Sequence, residues 1–419
     1  MKFAIVGAGI SGLSTARLLQ DQGHEVIVFE KKEKAGGLIA CEWVQDCLFH
    51  KVGGHVFNSK NQEVLNWFWK YFDKEQEFVS ATRNAKVYIN NLVIGYPIEN
   101  YLYMLDANTL QKVILELIEL QKNLQKPPNE YSDFEAFLRG NFGDTLFEIY
   151  FGPYNNKLWR TDLSEVAMEW LEGKLPMPQY PDIILSNILR KEEGNMVHST
   201  FFYPRSGGSQ FIIDRLAETL DIRLNNTITE VSFHNEKLAL NGEEGFDHLI
   251  WSANIKSLPA EIIGFLKEEG VNTGYIQNLH ANGTSNLFCE TDDTNISWLY
   301  IPGAFTKAHR IIYTGNFSAD NNRGSERKTC VVEFSGKVEF STMVDEIKKL
   351  PGNLHPLNYN YEASSYVVQD KQTRPVIASA KSALRKKNIF LLGRFAEWEY
   401  YNMDKCIEAG MNLVKQFQS

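Results

Sequence analysis

The chain has 419 residues, 43% of them hydrophobic, with 43 Lys and Arg against 52 Asp and Glu, a formal net charge of −9 at pH 7. That acidic balance argues against a nucleic-acid groove, and the absence of any apolar run near the ~18 residues of a membrane span predicts a cytoplasmic protein with no integral membrane segment. Cys41, Cys47, Cys289, Cys330 and Cys406 are odd in number, scattered and free of any CxxC pair, which excludes a disulfide framework and a zinc site and leaves no metal to expect.

Met1 to Val6 runs directly into a glycine motif, leaving no room for a signal peptide. Residues 1–30 read strand, tight turn, helix, strand: Lys2 to Val6, Gly7 to Gly12, Leu13 to Gln22 ended by Gly23, and Glu25 to Glu30. An aromatic-rich helix over Gln62 to Phe72 and a hairpin over Lys86 to Tyr96, turning at Asn90-Asn91, follow. Helical periodicity spans Asn108 to Leu124, and Ser132 with Glu135 three residues on predicts a capping box for the next helix. After FFYPRSGG and a helix over Phe211 to Thr219, strands Thr227 to Phe233 and Lys237 to Leu240 signal a return to the α/β layer. Alternation between Ser285 and Phe334 predicts a second sheet, and the apolar strand Asn388 to Leu392 precedes a last helix from about Asp404 to Phe417.

Gly7-Ala8-Gly9-Ile10-Ser11-Gly12 is GxGxxG between strand and helix, the arrangement that lets backbone approach a pyrophosphate at a helix N-terminus. Glu30 ends the second strand 18 residues beyond Gly12, where a carboxylate can accept the hydroxyls of an adenosine ribose. A dinucleotide, NAD or FAD, is the expected ligand. Gly36-Gly37 allows a second close approach, and Gly393-Arg394 before a helix near Met403-Asp404 aims a positive helix end at the cofactor, so that FAD is favoured.

On these residues and others the chain resembles the flavin-dependent UDP-galactopyranose mutases, within the amine-oxidase-like and protoporphyrinogen-oxidase-like flavoproteins. Gly53-Gly54-His55-Val56-Phe57 is similar to that family's turn against the flavin. Phe151-Gly152-Pro153-Tyr154 through Trp159 is similar to its tyrosine-to-tryptophan segment, and Gly393-Arg394-Phe395 with Trp398, Tyr400, Asn402 and Met403-Asp404 to its C-terminal flavin motif. Such enzymes interconvert pyranose and furanose forms of a nucleotide-linked hexose: reduced flavin N5 attacks the anomeric carbon, the diphosphate leaves, and the sugar recloses through another hydroxyl.

The resemblance implies an α/β fold in which a Rossmann-like FAD domain is assembled from residues 1–80, 196–265 and 381–419. A helical lobe (111–195) and an antiparallel sheet domain (81–110 and 266–380) would be inserted in it. It places Gly7, Gly9, Ser11, Gly12, Glu30, Lys31, Gly36, Gly37, Leu38, Gly54, His55, Val231, Gly393, Arg394, Asn402 and Met403 at the cofactor. His55, Lys174, Tyr400 and Asn402 become candidates for catalysis, and Glu99, Tyr154, Trp159, Lys174, Arg310, Arg374 and Tyr400 for the substrate. Three positions depart from the family pattern: Lys174 stands for a mobile-loop arginine, Glu99 for a pyrimidine-contacting glutamine, and Thr373 for a tyrosine, beside Arg374. The implied partners are a nucleotide-diphosphate sugar and a flavin reductant such as NAD(P)H; homo-oligomerisation is compatible with the sequence. An FAD oxidoreductase of the amine oxidase, protoporphyrinogen oxidase or desaturase type shares the glycine turn, Glu30 and Gly393. A catalytically divergent nucleotide-sugar-binding flavoprotein is the third reading.

Overall fold

The computed structural model describes residues 1–419 except 123–125, 167, 169–178, 191–199, 235–236 and 418–419. Its first layer is a five-stranded parallel sheet in the order Ile389–Leu391, His248–Trp251, Lys2–Val6, Glu25–Phe29, Asp221–Arg223. Strands covered on both faces read as continuous apolar runs, and KFAIV, EVIVF, HLIW and IFL do so. The sheet thus draws strands from the start, middle and end of the chain. Helices Ile10–Asp21, Gly208–Ala217 and Met403–Val414 pack on one face through Leu13, Ile213, Ile407 and Met411.

The second layer is a seven-stranded sheet in the order His355–Val367, Ala281–Thr291, Lys328–Ser335, Ala308–Ile312, Trp298–Tyr300, Ala85–Ile89, Leu92–Gly95. It is mixed rather than wholly antiparallel: Trp298–Tyr300 runs parallel to Ala85–Ile89. These two strands come from distant parts of the chain, so no hairpin dictates their direction. The expected hairpin is present, with both Asn90 and Asn91 at positive φ (51° and 61°) as a two-residue turn demands. A helical lobe of Ala107–Lys122, Phe134–Leu146, Gly152–Trp159 and Tyr180–Leu189 buries Leu117, Phe137 and Leu138 in one cluster with Val87, Ile94 and Tyr300 of this sheet.

Two expectations need correction. The helix at Phe134 is capped by Asp133, whose carboxylate accepts from Ala136 N, one residue later than the Ser132 box; Glu135 instead pairs with Arg139 at 2.8 Å. An aspartate at N-cap outcompetes a neighbouring serine because its charge also meets the helix dipole. Val231–His234 and Lys237–Leu240 do not rejoin the parallel layer but form a separate antiparallel sheet with Glu243–Phe246. The chain re-enters the parallel layer at Asp221–Arg223 and His248–Trp251, strands too short to show a period. The longest strand, His355–Val367, also escapes the sequence reading, because it is a half-exposed edge strand with a polar pattern. All five cysteines are buried and free, no metal-ligand cluster occurs among the described residues, and none of their helices is long and apolar enough to cross a membrane.

Candidate active site

A cavity of about 570 Å³ runs between the two sheets. At one end lies the glycine turn. A Cβ on Gly12 would sit 2.0 Å from the Gly7 carbonyl oxygen, so only glycine lets the first helix start this close to the first strand. Glu30 is buried, with Oε2 accepting from Ala8 N at 2.8 Å and Oε1 from Lys32 N at 2.9 Å. Both oxygens are thereby aimed, and each keeps a lone pair for a ligand hydroxyl. Gly36 N donates to Ala8 O at 2.9 Å, tying the second glycine pair to the first turn. Gly7, Gly9, Ser11, Glu30, Lys31, Gly37 and Leu38 line this end.

The chain's last segment closes the middle of the cavity. Gly393 has φ 93°, and a Cβ there would lie 2.4 Å from Ser11 Oγ. Arg394, Tyr400, Asn402 and Met403 line the wall, and Asn402 occupies the N-cap of the 12-residue helix Met403–Val414. The Arg394 guanidinium lies 4.3 Å over the Tyr400 ring and donates to the carbonyls of Tyr401 and Ser365.

At the far end, Gly54 and His55 line the cavity beside Arg83, Trp298, Tyr300, Arg310 and Tyr366. Nε2 of His55 is shielded from solvent and has no hydrogen-bond partner among the described residues. Burial, reinforced by the Arg394 charge, lowers His55 to about 4, so the ring is neutral at neutral pH. Arg310 donates from Nε to Glu333 Oε2 at 2.6 Å and from NH2 to the Tyr366 hydroxyl at 2.8 Å. Arg83 donates to the Tyr300 hydroxyl and stacks over Trp298 and Tyr96, 5.1 and 5.7 Å from the ring centroids. Its Nε is shielded and unpartnered among the described residues, and no carboxylate there pairs with it. Because Tyr300 and Tyr366 each accept from a guanidinium, each keeps its own O–H proton free to donate. Burial raises Tyr366, so it remains a protonated phenol.

Several predicted residues stand outside the lining. Gly12, Gly36 and Gly393 shape the walls from behind. Val231 is buried in the core between the parallel sheet and the small antiparallel one, and Asn226, Thr227 and Ile228 line the cavity in its place. Tyr154 and Trp159 form a second layer: Tyr154 meets Tyr300 edge-on at 5.5 Å, and Trp159 meets Tyr366 and Tyr400 at 6.2 and 6.4 Å. Arg374 does not reach the cavity; its guanidinium is engaged bidentately by Glu399 at 2.7 and 3.1 Å. Glu99 lies in the turn Ile98–Met104, also away from the lining. Lys174 lies outside the described residues. The sequence reading missed Arg83, Trp298, Tyr300 and Tyr366, which carry no motif.

These residues fit a flavin dinucleotide. Two helix N-termini, Ile10 and Met403, open on one cavity, the oriented Glu30 carboxylate waits at one end, and Gly54 and the neutral His55 ring line the other. Residues 5–72 match the NAD(P)-binding Rossmann-like domain. The chain is 22% identical to the UDP-galactopyranose mutase of Mycoplasma genitalium, over 99% of this chain and 94% of that one. A crystal structure of a reduced UDP-galactopyranose mutase superposes with a TM-score of 0.85 at 20% identity, covering 99% of this chain and 93% of that one. A protoporphyrinogen oxidase-like protein from Exiguobacterium reaches 0.74 at 13% identity, over 99% and 98%. The chain is therefore a full-length relative of proteins named UDP-galactopyranose mutase and shares their fold.

Proposed function

We propose that this protein is an FAD-dependent isomerase that interconverts the pyranose and furanose forms of a nucleotide-diphosphate hexose. The observation that carries this reading is the pair of guanidiniums, Arg83 and Arg310, reaching the same cavity as the glycine turn, each leaving a tyrosine O–H free. A diphosphate leaving group in a partly dehydrated pocket needs positive charge and neutral donors: Arg83, which no carboxylate among the described residues pairs, supplies the charge, and Arg310, its charge matched by Glu333, orients the Tyr366 hydroxyl. When bound in its reduced form, the flavin supplies the nucleophile for the anomeric carbon.

The protein's own part is to hold and to exclude. Glu30 and the glycine turn grip the adenosine half, and the N-terminus of Met403–Val414 favours negative charge at the other half. Tyr300, Tyr366 and Tyr400 wall off water with flat rings, and Tyr300 and Tyr366 offer hydroxyls to phosphate or sugar oxygens. Lys174, in the sequence that follows Trp159, is proposed as an additional cation. In this reading residues 1–80, 196–265 and 381–419 carry the cofactor, the remainder shapes the substrate end, and an external donor such as NAD(P)H reduces the flavin.

The second reading, an FAD oxidoreductase, rests on the likeness to the protoporphyrinogen oxidase-like fold. Arg83 and Arg394, neither paired with a carboxylate among the described residues, speak against the amine-oxidising form, because a protonated amine at that end of the cavity would approach both. The test is to incubate the dithionite-reduced holoprotein with UDP-galactopyranose and a panel of UDP- and dTDP-hexoses and to assay furanose product by chromatography. Product formation that requires reduction but consumes no stoichiometric reductant is expected. Oxygen consumption with amines or tetrapyrroles, and no sugar product, would establish the second reading.

A further inference from the structure

Glu333 is fully buried on the strand Lys328–Ser335 and does not line the cavity, yet it holds two parts of the wall that do. Its Oε2 accepts from Arg310, the residue directly opposite it on the neighbouring strand. Its Oε1 accepts at 2.9 Å from the backbone N–H of Gly53, 280 positions earlier in the chain. A bulge between Ala308 and Arg310 brings His309 to the same carboxylate, with Nε2 at 3.6 Å. Bulges re-aim side chains, and this one aims Arg310.

Stability alone does not account for this arrangement. Two charges taken out of water are commonly no better than well-packed apolar residues of the same volume. Neutralising Arg310 would need one carboxylate oxygen; the other is spent on Gly53. Burial by itself would raise the carboxyl, but Arg310 and His309 hold it at about 2, so Glu333 is ionised throughout the physiological range.

We propose that Glu333 is a positioning residue that registers the Arg310 guanidinium against the Gly53-Gly54-His55 turn, so that the substrate-binding cation and the cofactor-facing turn are held by one carboxylate. This rests on the mutase reading above for what Arg310 binds. Glutamine cannot replace it, since its NH₂ group would face either the guanidinium or the Gly53 N–H, donor against donor. Aspartate keeps the charge but is one methylene short of spanning both partners.

The test compares Glu333→Gln and Glu333→Asp in the FAD-loaded protein. Both should lower kcat on the sugar substrate by roughly ten- to a hundredfold with a smaller change in KM, as expected when a correctly placed group is lost. Glu333→Gln should also move the flavin midpoint potential in the positive direction, because a negative charge near the site is gone; Glu333→Asp should leave it near the wild-type value. Turnover within threefold of wild type in both variants, or a potential unmoved by Glu333→Gln, would overturn the proposal. Should Glu333→Gln fail to fold, Glu333→Asp decides it alone: reduced kcat with an unchanged potential supports registration, and wild-type kcat refutes it. If the wild type turns over no sugar, the mutase reading fails, and the potential still reports on Glu333.

Discussion

The backbone N–H of His55 donates to Nδ1 of His50 at 3.2 Å, and Nε2 of His50 lies 2.7 Å from the Tyr203 hydroxyl. With Nδ1 accepting, the His50 proton sits on Nε2 and points at Tyr203, which fixes a neutral tautomer. Burial, aided by the neighbouring His55, lowers His50 to about 3. The Gly-Gly-His turn therefore rests on an imidazole that must remain uncharged.

Unfolded histidines bind protons near 6.5, whereas the folded values are about 3 for His50 and about 4 for His55. Between those values the unfolded state binds more protons, so stability is complete above about pH 6.5 and is lost as pH falls toward 4. At about 1.4 kcal/mol per pKa unit the loss amounts to several kcal/mol. Thermal melts of the apoprotein from pH 7.5 to 4.5 should show a falling midpoint, and His50→Gln should flatten that slope. Glu333 does not contribute there, since its depressed carboxyl loses its stabilisation only below about pH 4.5.

Glu30 should be required for cofactor retention. Glu30→Ala removes an acceptor already oriented by Ala8 N and Lys32 N, and charge-assisted contacts are worth ~1.5–3 kcal/mol. FAD affinity measured by fluorescence quenching should fall about ten- to a hundredfold. Unchanged affinity would make Glu30 a cap for the two backbone N–H groups and nothing more.

Gly393→Ala should lower both stability and FAD content. The residue sits at φ 93°, and the added Cβ would lie 2.4 Å from Ser11 Oγ and 2.8 Å from Ser11 Cβ. Strain of this kind costs roughly 1–3 kcal/mol, read as a reduced melting temperature and weaker flavin binding in the purified variant. A variant that melts and binds like the wild type would show that the loop moves aside freely.

The cofactor end was legible in the sequence because its chemistry is local. GxGxxG, Glu30 and the Gly393 exit each sit at a strand end, and the residue types demanded there are few. The substrate end was legible only at Arg310 and Tyr400. Arg83 comes from the loop between Phe78–Thr82 and Ala85–Ile89, Tyr300 and Tyr366 come from two separate strands, and only the register of the mixed sheet brings them beside Arg310. Tyr154 and Trp159 were readable as a pair, yet they stand behind Tyr300 and Tyr366, since a helix supplies the second layer here. Arg374 looked available in the sequence; nothing local announced that Glu399, 25 residues later, would engage it.

That difference between two arginines gives the sharpest test of the substrate end. Arg83 lines the cavity with no carboxylate paired to it among the described residues, so its charge is available to an anion. Arg374 has its charge matched by Glu399 outside the lining. Arg83→Ala should lower kcat/KM on the nucleotide sugar by about ten- to a hundredfold, the worth of one charge-assisted contact, while FAD content stays near wild type. Arg83→Lys should recover only part of this, because a lysine lacks the planar group that stacks on Trp298 and Tyr96 while donating to Tyr300. Arg374→Met should leave kcat/KM within about threefold and lower the melting temperature slightly, in keeping with a partly exposed pair. Steady-state assays on the three variants decide it. A silent Arg83→Ala beside a damaging Arg374→Met would reverse the assignment and move the diphosphate to the Thr373–Arg385 helix.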